Sequence, residues 1–137
     1  MLRRPDNRFP LNGQSVTQKC VSHSTTESEV VAADNALRTE GLPVLSMLDV
    51  IYDRGVVLKV AEDNQATIQI MKTGRNLTWR HVGRTHRVSI QWLHEVCLEH
   101  YIDLRYIESA EQAADIFTKA FTNPEKWRLV TTLINHI

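Results

Sequence analysis

The chain has 137 residues, 42% of them hydrophobic, which suits one compact domain with its own core. The formal net charge is zero, so a nucleic-acid partner must be met by a local basic patch and not by overall charge. No apolar run is long enough to cross a bilayer, which excludes a membrane-spanning protein. Two cysteines without a close pairing motif, and no signal-like N-terminal run, indicate an intracellular protein.

The N-terminal third is predicted to be mainly helical. Residues 1–14 lack periodicity and form an irregular segment, either a frayed entry or the remnant of a hairpin, before an ordered domain over 15–137. An edge strand is expected from Ser15 to Val21. Ser24 and Glu27 then have capping-box spacing, which predicts a helix from Thr25 to about Glu40. Gly41 and Pro43 interrupt that helix, and the helical pattern resumes over 44–52.

Alternating strands and helices are predicted for the rest of the chain. Val56 to Ala61 is a nearly continuous apolar run, typical of a central strand buried on both faces. The later elements are a helix at 65–72 ended by Gly74, a helix at 87–100, a strand at 102–106, a helix opened by Ser109 with Gln112, and a last helix at 125–134. This order predicts a layered α/β domain.

Three acidic residues fall where carboxylates from different elements could share a metal site. Asp63 follows the apolar strand, and ligands gather at the carboxyl ends of strands in α/β sheets. Glu29 is preferred to Glu27 on the first helix, because Glu27 is expected to be occupied in the capping box. Asp115 lies beside the apolar stripe of a later helix. Such carboxylates repel one another unless Mg²⁺ or Mn²⁺ balances their charge.

Four segments in order carry a resemblance to a known family. They are Ser-His-Ser-Thr-Thr-Glu-Ser-Glu-Val-Val-Ala-Ala (22–33), Glu-Asp-Asn-Gln-Ala-Thr-Ile (62–68), Arg-Thr-His-Arg-Val-Ser-Ile (84–90) and Tyr-Ile-Glu-Ser-Ala-Glu-Gln-Ala-Ala-Asp-Ile-Phe-Thr-Lys (106–119). Together they resemble the ribonuclease H domain of copia-type retrotransposon polyproteins. The similarity runs from about Gly13 to the C-terminus, and its most specific part is the last segment.

The resemblance implies a ribonuclease H-like fold, a mixed sheet with flanking helices. It also implies a metal-dependent endonuclease that hydrolyses the RNA strand of RNA–DNA hybrids beside the reverse transcriptase portion of the same polyprotein. Glu29, Asp63 and Asp115 match the family's metal-binding carboxylates, with Glu27 as the fallback for Glu29. Two Mg²⁺ or Mn²⁺ ions would be held if the site is complete. A cytoplasmic particle or the nucleus is the expected compartment.

Two departures from the family pattern affect this interpretation. Family members begin with a strand that bears the first catalytic aspartate, and we expect that strand to be missing here, because Asp6 stands too close to Glu29 to take its role. A missing central strand would leave a sheet edge or apolar groove for oligomerisation or docking. The family's Lys-His-Ile-Asp segment appears as His86-Arg87-Val88-Ser89, to which no role is assigned.

The stretch from Lys72 to Arg87 is the candidate nucleic-acid surface, because it carries basic residues and no acid. Cationic side chains there could neutralise phosphates, and an aromatic ring could pack on a sugar or base. The alternative is a solvated loop with a core tryptophan. The residues assigned to binding are Lys72, Arg75, Trp79, Arg80, Arg84 and Arg87.

Other interpretations remain open. Glu29 and Asp115 could be ordinary surface acids, and Asp63 a strand-end cap. No cysteine or acid has the spacing that a structural zinc site with His81 and His86 would need. Cys20 and Cys97 fit buried small hydrophobes better than nucleophiles. The whole chain could also be a catalytically degenerate ribonuclease H-like module for nucleic-acid binding or assembly.

Overall fold

The computed structural model describes residues 2–4, 7–18, 21–75 and 86–135. The chain divides into two compact units. Gln18–Tyr106 forms the main unit, and Met1–Thr17 with Ile107–Ile137 forms the terminal unit. The protein is α/β, with a small two-stranded parallel sheet and flanking helices. The predicted domain limits, 1–14 and 15–137, stay a prediction.

The elements follow one another in this order: β1 (Leu2–Arg4), β2 (Asn7–Phe9), α1 (Thr25–Ala36), a π-helical segment (Leu37–Gly41), α2 (Leu42–Tyr52), β3 (Leu58–Glu62), α3 (Gln65–Thr73), α4 (Ile90–Leu98), β4 (Ile102–Tyr106), two 3₁₀ segments (Ser109–Glu111 and Ala113–Phe117) and α5 (Pro124–Leu133). Strands β1 and β2 pair antiparallel within the terminal unit, and β3 pairs parallel with β4 in the main unit.

Helix α1 begins where the capping box predicts it. The backbone N–H of Glu27 donates to the Ser24 hydroxyl at 3.1 Å, which satisfies one of the free donors of the first turn. The predicted interruption near Gly41 takes the form of a π-helical turn. Pro43 has no N–H to donate, and the N–H of Leu42 reaches back to the Leu37 carbonyl, five residues earlier. The chain therefore remains helical into α2.

Strand β3 is half-exposed, which corrects the prediction of a strand buried on both faces. Leu58 and Val60 face the helices, whereas Lys59 and Ala61 are exposed, in the alternation of a sheet with one covered face. Among the described strands, β3 pairs only with β4, so it is not a central strand there. A short, nearly continuous apolar run does not distinguish a strand buried on both faces from one with a single covered face.

The core of the main unit lies between the helices and the inner face of the sheet. Met71 of α3 and Leu93 of α4 are fully buried, so both helices that connect β3 to β4 contribute to it. The full set of buried core residues is Val30, Leu37, Ile70, Met71, Val88, Leu93, Val96 and Ile102. Helices α3 and α4 start and end within a few residues of the predicted bounds.

Two predicted elements are corrected. The edge strand at 15–21 does not form in the described part of that segment, where Val16 and Val21 are exposed. The helix opened by Ser109 is replaced by the two 3₁₀ segments, because Gln112 between them is extended and the Ser109 hydroxyl accepts from the Lys119 ammonium instead of a backbone N–H. The last helix, α5, is confirmed, with Asn123 as its cap.

Gly74 ends α3 in a backbone conformation that disfavours other residues, and we predict that Gly74→Ala destabilises the protein. Its φ is +66°, and an added Cβ would lie 2.8 Å from the His94 ring. That ring is held by the Met71 carbonyl oxygen, 3.0 Å from Nδ1. We expect a loss of about 1–3 kcal/mol in the free energy of unfolding, measured by urea denaturation.

Gly55→Ala is the matched control, because a Cβ at Gly55 meets nothing within 4 Å. Equal losses of stability for the two substitutions would contradict the prediction, because neither the positive φ nor the contact with His94 would then have an energetic consequence.

Candidate metal centre

Two adjacent carboxylates mark the carboxyl end of β3. The strand ends at Glu62, and Asp63 lies in the bend that follows. Side chains on opposite faces would be expected if the strand continued through both residues, but the bend ends that alternation. The Glu62 carboxylate accepts the backbone N–H of Asn64 at 3.0 Å, which turns it back over the bend. Both acids therefore lie at the sheet edge where α/β proteins gather ligands.

Glu29 reaches the same place from α1. Its Oε2 accepts a hydrogen bond from the Thr67 hydroxyl of α3 at 3.1 Å. A longer contact of 3.4 Å joins the Asn64 amide to the Thr26 hydroxyl. The start of α1 is thus linked by side chains to the start of α3, directly beside the end of β3.

Glu29, Glu62 and Asp63 form the acidic cluster. Each offers a carboxylate oxygen, these oxygens lie within 4.8 Å of one another, and all three residues are half-buried. Glu29 and Asp63 were predicted from the sequence, and Glu62 was missed. Its only signal in the sequence was that it adjoins Asp63. Because neighbouring residues of a strand point to opposite faces, that position argued against a site shared with Asp63.

Desolvation by burial is the main cause that raises the pKa of Glu62 to about 7, and the charges of Glu29 and Asp63 raise it further against the lowering effect of the Asn64 N–H. An oxygen-only donor set suits hard divalent cations such as Mg²⁺ and Mn²⁺. The chemistry of these residues therefore fits such an ion.

The N-terminus of α3 faces the end of β3. Asn64 caps this helix, because its side-chain oxygen accepts the N–H groups of Ala66 at 2.8 Å and Thr67 at 3.2 Å. The positive end of the helix dipole favours nearby carboxylates and offsets part of their repulsion. The cap therefore orients the helix and supports the acidic cluster.

Glu27 has a separate, buried position. It is fully buried, its Oε2 accepts the backbone N–H of His23 at 3.1 Å, and its Oε1 lies 3.1 Å from Nε2 of His86. A buried polar group is tolerated when polar partners lie beside it. Glu27 therefore lies at the start of α1, where its carboxylate accepts the N–H of His23, and Glu29 lies in the acidic cluster.

Asp115 lies in the terminal unit. Its carboxylate accepts from the Lys119 ammonium at 2.5 Å, and the same ammonium donates to the Ser109 hydroxyl at 3.2 Å. The Asp115 side chain is only 14% exposed. Its predicted role as a metal ligand stays a prediction.

The predicted nucleic-acid surface is described only in part. Lys72 on the last turn of α3, Arg75 and Arg87 are exposed. Arg87 has a positive φ of 57°, at the entry to α4. Trp79, Arg80 and Arg84 lie outside the described residues, as does His81. The assignment of this segment to nucleic-acid binding stays a prediction.

Comparison of the chain with family models, curated proteins and solved structures gave no match in any of the three. Over the described residues, no helix combines the length and the apolar character that a membrane crossing requires.

We predict that Glu62 makes the stability of the protein fall with rising pH. Its pKa is 4.5 in the unfolded chain and about 7 in the folded one, so the folded state binds more protons between these values. The stabilisation by the protonated form is complete below about pH 4.5 and is lost as the pH rises through about 7. Solvent screening of a half-buried group limits the effect to about 1 kcal/mol.

Urea denaturation in EDTA checks this, with Glu62→Gln as the variant. We expect the variant to gain stability relative to wild type on going from about pH 4 to about pH 8, by the same ~1 kcal/mol. Glu99→Gln, at an exposed position after α4, is the control and should leave the pH dependence unchanged. An unchanged curve for Glu62→Gln would contradict the prediction.

Cys97 should react slowly with thiol reagents. Burial raises the pKa of its thiol to about 11, so the nucleophilic thiolate is scarce at neutral pH. In a Cys20→Ser background we expect alkylation by iodoacetamide at least about ten times slower in the folded protein than in urea. Equal rates, measured by mass spectrometry, would contradict this. Cys20 itself lies outside the described residues.

Proposed function

We propose that this chain is a ribonuclease H-like endonuclease that uses divalent metal ions to hydrolyse the RNA strand of RNA–DNA hybrids. It would act as part of a copia-type retrotransposon polyprotein, as the resemblance in its sequence implies. The parallel pair β3–β4, with α1 preceding it and α3 and α4 between its strands, supports a place for this unit in a ribonuclease H-like fold.

One observation carries the proposal. Glu29 and Asp63 come from different elements, and the sequence predicts each of them as a metal ligand. One carboxylate oxygen of each lies within 4.8 Å of the other, and one oxygen of Glu62 lies within the same distance of both. Half-buried carboxylates that repel one another are costly for a fold, so their proximity favours a function that needs them together.

The residues of the acidic cluster have distinct tasks in this proposal. Glu29 and Asp63 would supply ligand oxygens from a helix and from a strand end. Glu62 would lose its proton on binding the ion and supply a third ligand oxygen. A divalent cation bound there contributes Lewis-acid activation of water and stabilisation of charge on the phosphate. The Asn64 N–H and the Thr67 hydroxyl hold Glu62 and Glu29 in place before a substrate arrives.

The test is cleavage of an end-labelled RNA–DNA hybrid by the full chain in Mg²⁺ or Mn²⁺. We expect wild type to release RNA fragments, EDTA to stop the reaction, and Asp63→Asn or Glu29→Gln to reduce the rate by about 100-fold or more. Asp115→Asn, in the same assay, tests the third residue that the resemblance assigns. Glu99→Gln should cleave like wild type.

Two results would contradict the proposal. Cleavage that is unchanged in Asp63→Asn would come from another enzyme. No cleavage by wild type, with hybrid binding retained in a gel-shift assay, would favour the catalytically degenerate binding module instead. Double-stranded DNA and single-stranded RNA of the same sequence establish the substrate class.

A further inference from the structure

The hydroxyl of Thr67 is bonded differently from those of three other residues on the described helices. Threonine and serine hydroxyls inside helices usually donate to a backbone carbonyl one turn earlier. Thr39, Ser46 and Thr73 do so here, at 2.8, 3.0 and 2.8 Å. Thr67 instead donates to the Glu29 carboxylate at 3.1 Å, across to another helix.

Thr67 is also fully buried, so its hydroxyl has no access to solvent. A buried hydroxyl must find an acceptor, and a carboxylate makes a stronger one than a backbone carbonyl. The bond fixes the Oε2 oxygen of Glu29. The position of the Glu29 carboxylate is therefore set from α3, the helix that begins beside Asp63.

We propose that Thr67 is a positioning residue, which holds the Glu29 carboxylate in the orientation that divalent-metal binding by the acidic cluster requires. The inference rests on the proposed function. It adds a residue that contacts no ion itself and acts through Glu29. Side chains that orient ligands in this way typically contribute 10- to 100-fold to metal affinity or activity.

The experiment is calorimetric titration of the full chain with Mn²⁺ for wild type, Thr67→Val, Thr67→Ser and Asp63→Asn. Valine keeps the shape of threonine and removes the donor, whereas serine keeps the donor. We expect Thr67→Val to weaken Mn²⁺ binding about ten-fold and Thr67→Ser to bind like wild type. Asp63→Asn should abolish binding.

Two controls separate positioning from packing. Thr73→Val removes a hydroxyl from the same helix, where it bonds only to the Gln69 carbonyl, and should leave Mn²⁺ affinity unchanged. In a Glu29→Gln background, Thr67→Val should cost no further affinity, because its effect passes through Glu29. Thermal unfolding in EDTA establishes that each variant is folded, and Thr67→Ala replaces Thr67→Val if the latter does not fold.

The outcomes distinguish the two proposals. A folded Thr67→Val that binds Mn²⁺ as tightly as wild type overturns the role of Thr67 and leaves the metal centre intact. Equal weakening in Thr67→Ser and Thr67→Val also overturns it, because serine keeps the donor and the loss would then come from altered packing. If wild type binds no Mn²⁺, or if Asp63→Asn binds Mn²⁺ as tightly as wild type does, the metal centre is overturned, and the role of Thr67 with it.

Discussion

Strands β3 and β4 run parallel, and parallel strands cannot be joined by a short turn. The connection must cross back over the sheet, and here it supplies α3 and α4, which contribute half of the buried core residues. The same constraint fixes the chemistry of the main unit. Because α3 must start right after β3, its N-terminus and Asn64 cap come to lie beside Glu62 and Asp63, and Thr67 lies within reach of α1.

The acidic cluster destabilises the fold in which it lies. Carboxylates in a half-buried setting lose hydration and repel one another, and Glu62 responds by holding its proton to about pH 7. The Asn64 N–H, the dipole of α3 and the Thr67 hydroxyl offset part of this cost. Such local conflicts between stability and charge are common where a protein binds ions or substrates.

Two capping boxes in the sequence had different outcomes, and the difference shows the limit of local prediction. Ser24 and Glu27 start α1 as expected, because the Ser24 hydroxyl accepts a backbone N–H. Ser109 and Gln112 have the same spacing, but the Ser109 hydroxyl accepts from Lys119, ten residues later. The choice between the two bonds depends on a side chain outside the motif, and a propensity rule does not include it.

The presence of helices and strands was predicted better from the sequence than their exposure to solvent was. Periodic helices such as α3 and α4, and the alternating strand β4, were recognised from their own residues. The half-exposed state of β3 depends on which other strands pair with it, and that information is not local. For the same reason Glu62 was missed, since the bend at Asp63 that brings the two carboxylates together is a feature of the folded backbone.

Glu27 and Glu29 show how α1 serves both the fold and the site. Glu27 points into the protein, where the His23 N–H and His86 surround its carboxylate, and this fixes where the helix starts and how it is rotated. Glu29 lies two residues further on, and side chains at that spacing project from different faces of a helix. A helix whose rotation is set by one buried carboxylate presents the other in a defined direction. The geometry of the acidic cluster therefore depends on Glu27, which is not one of its members.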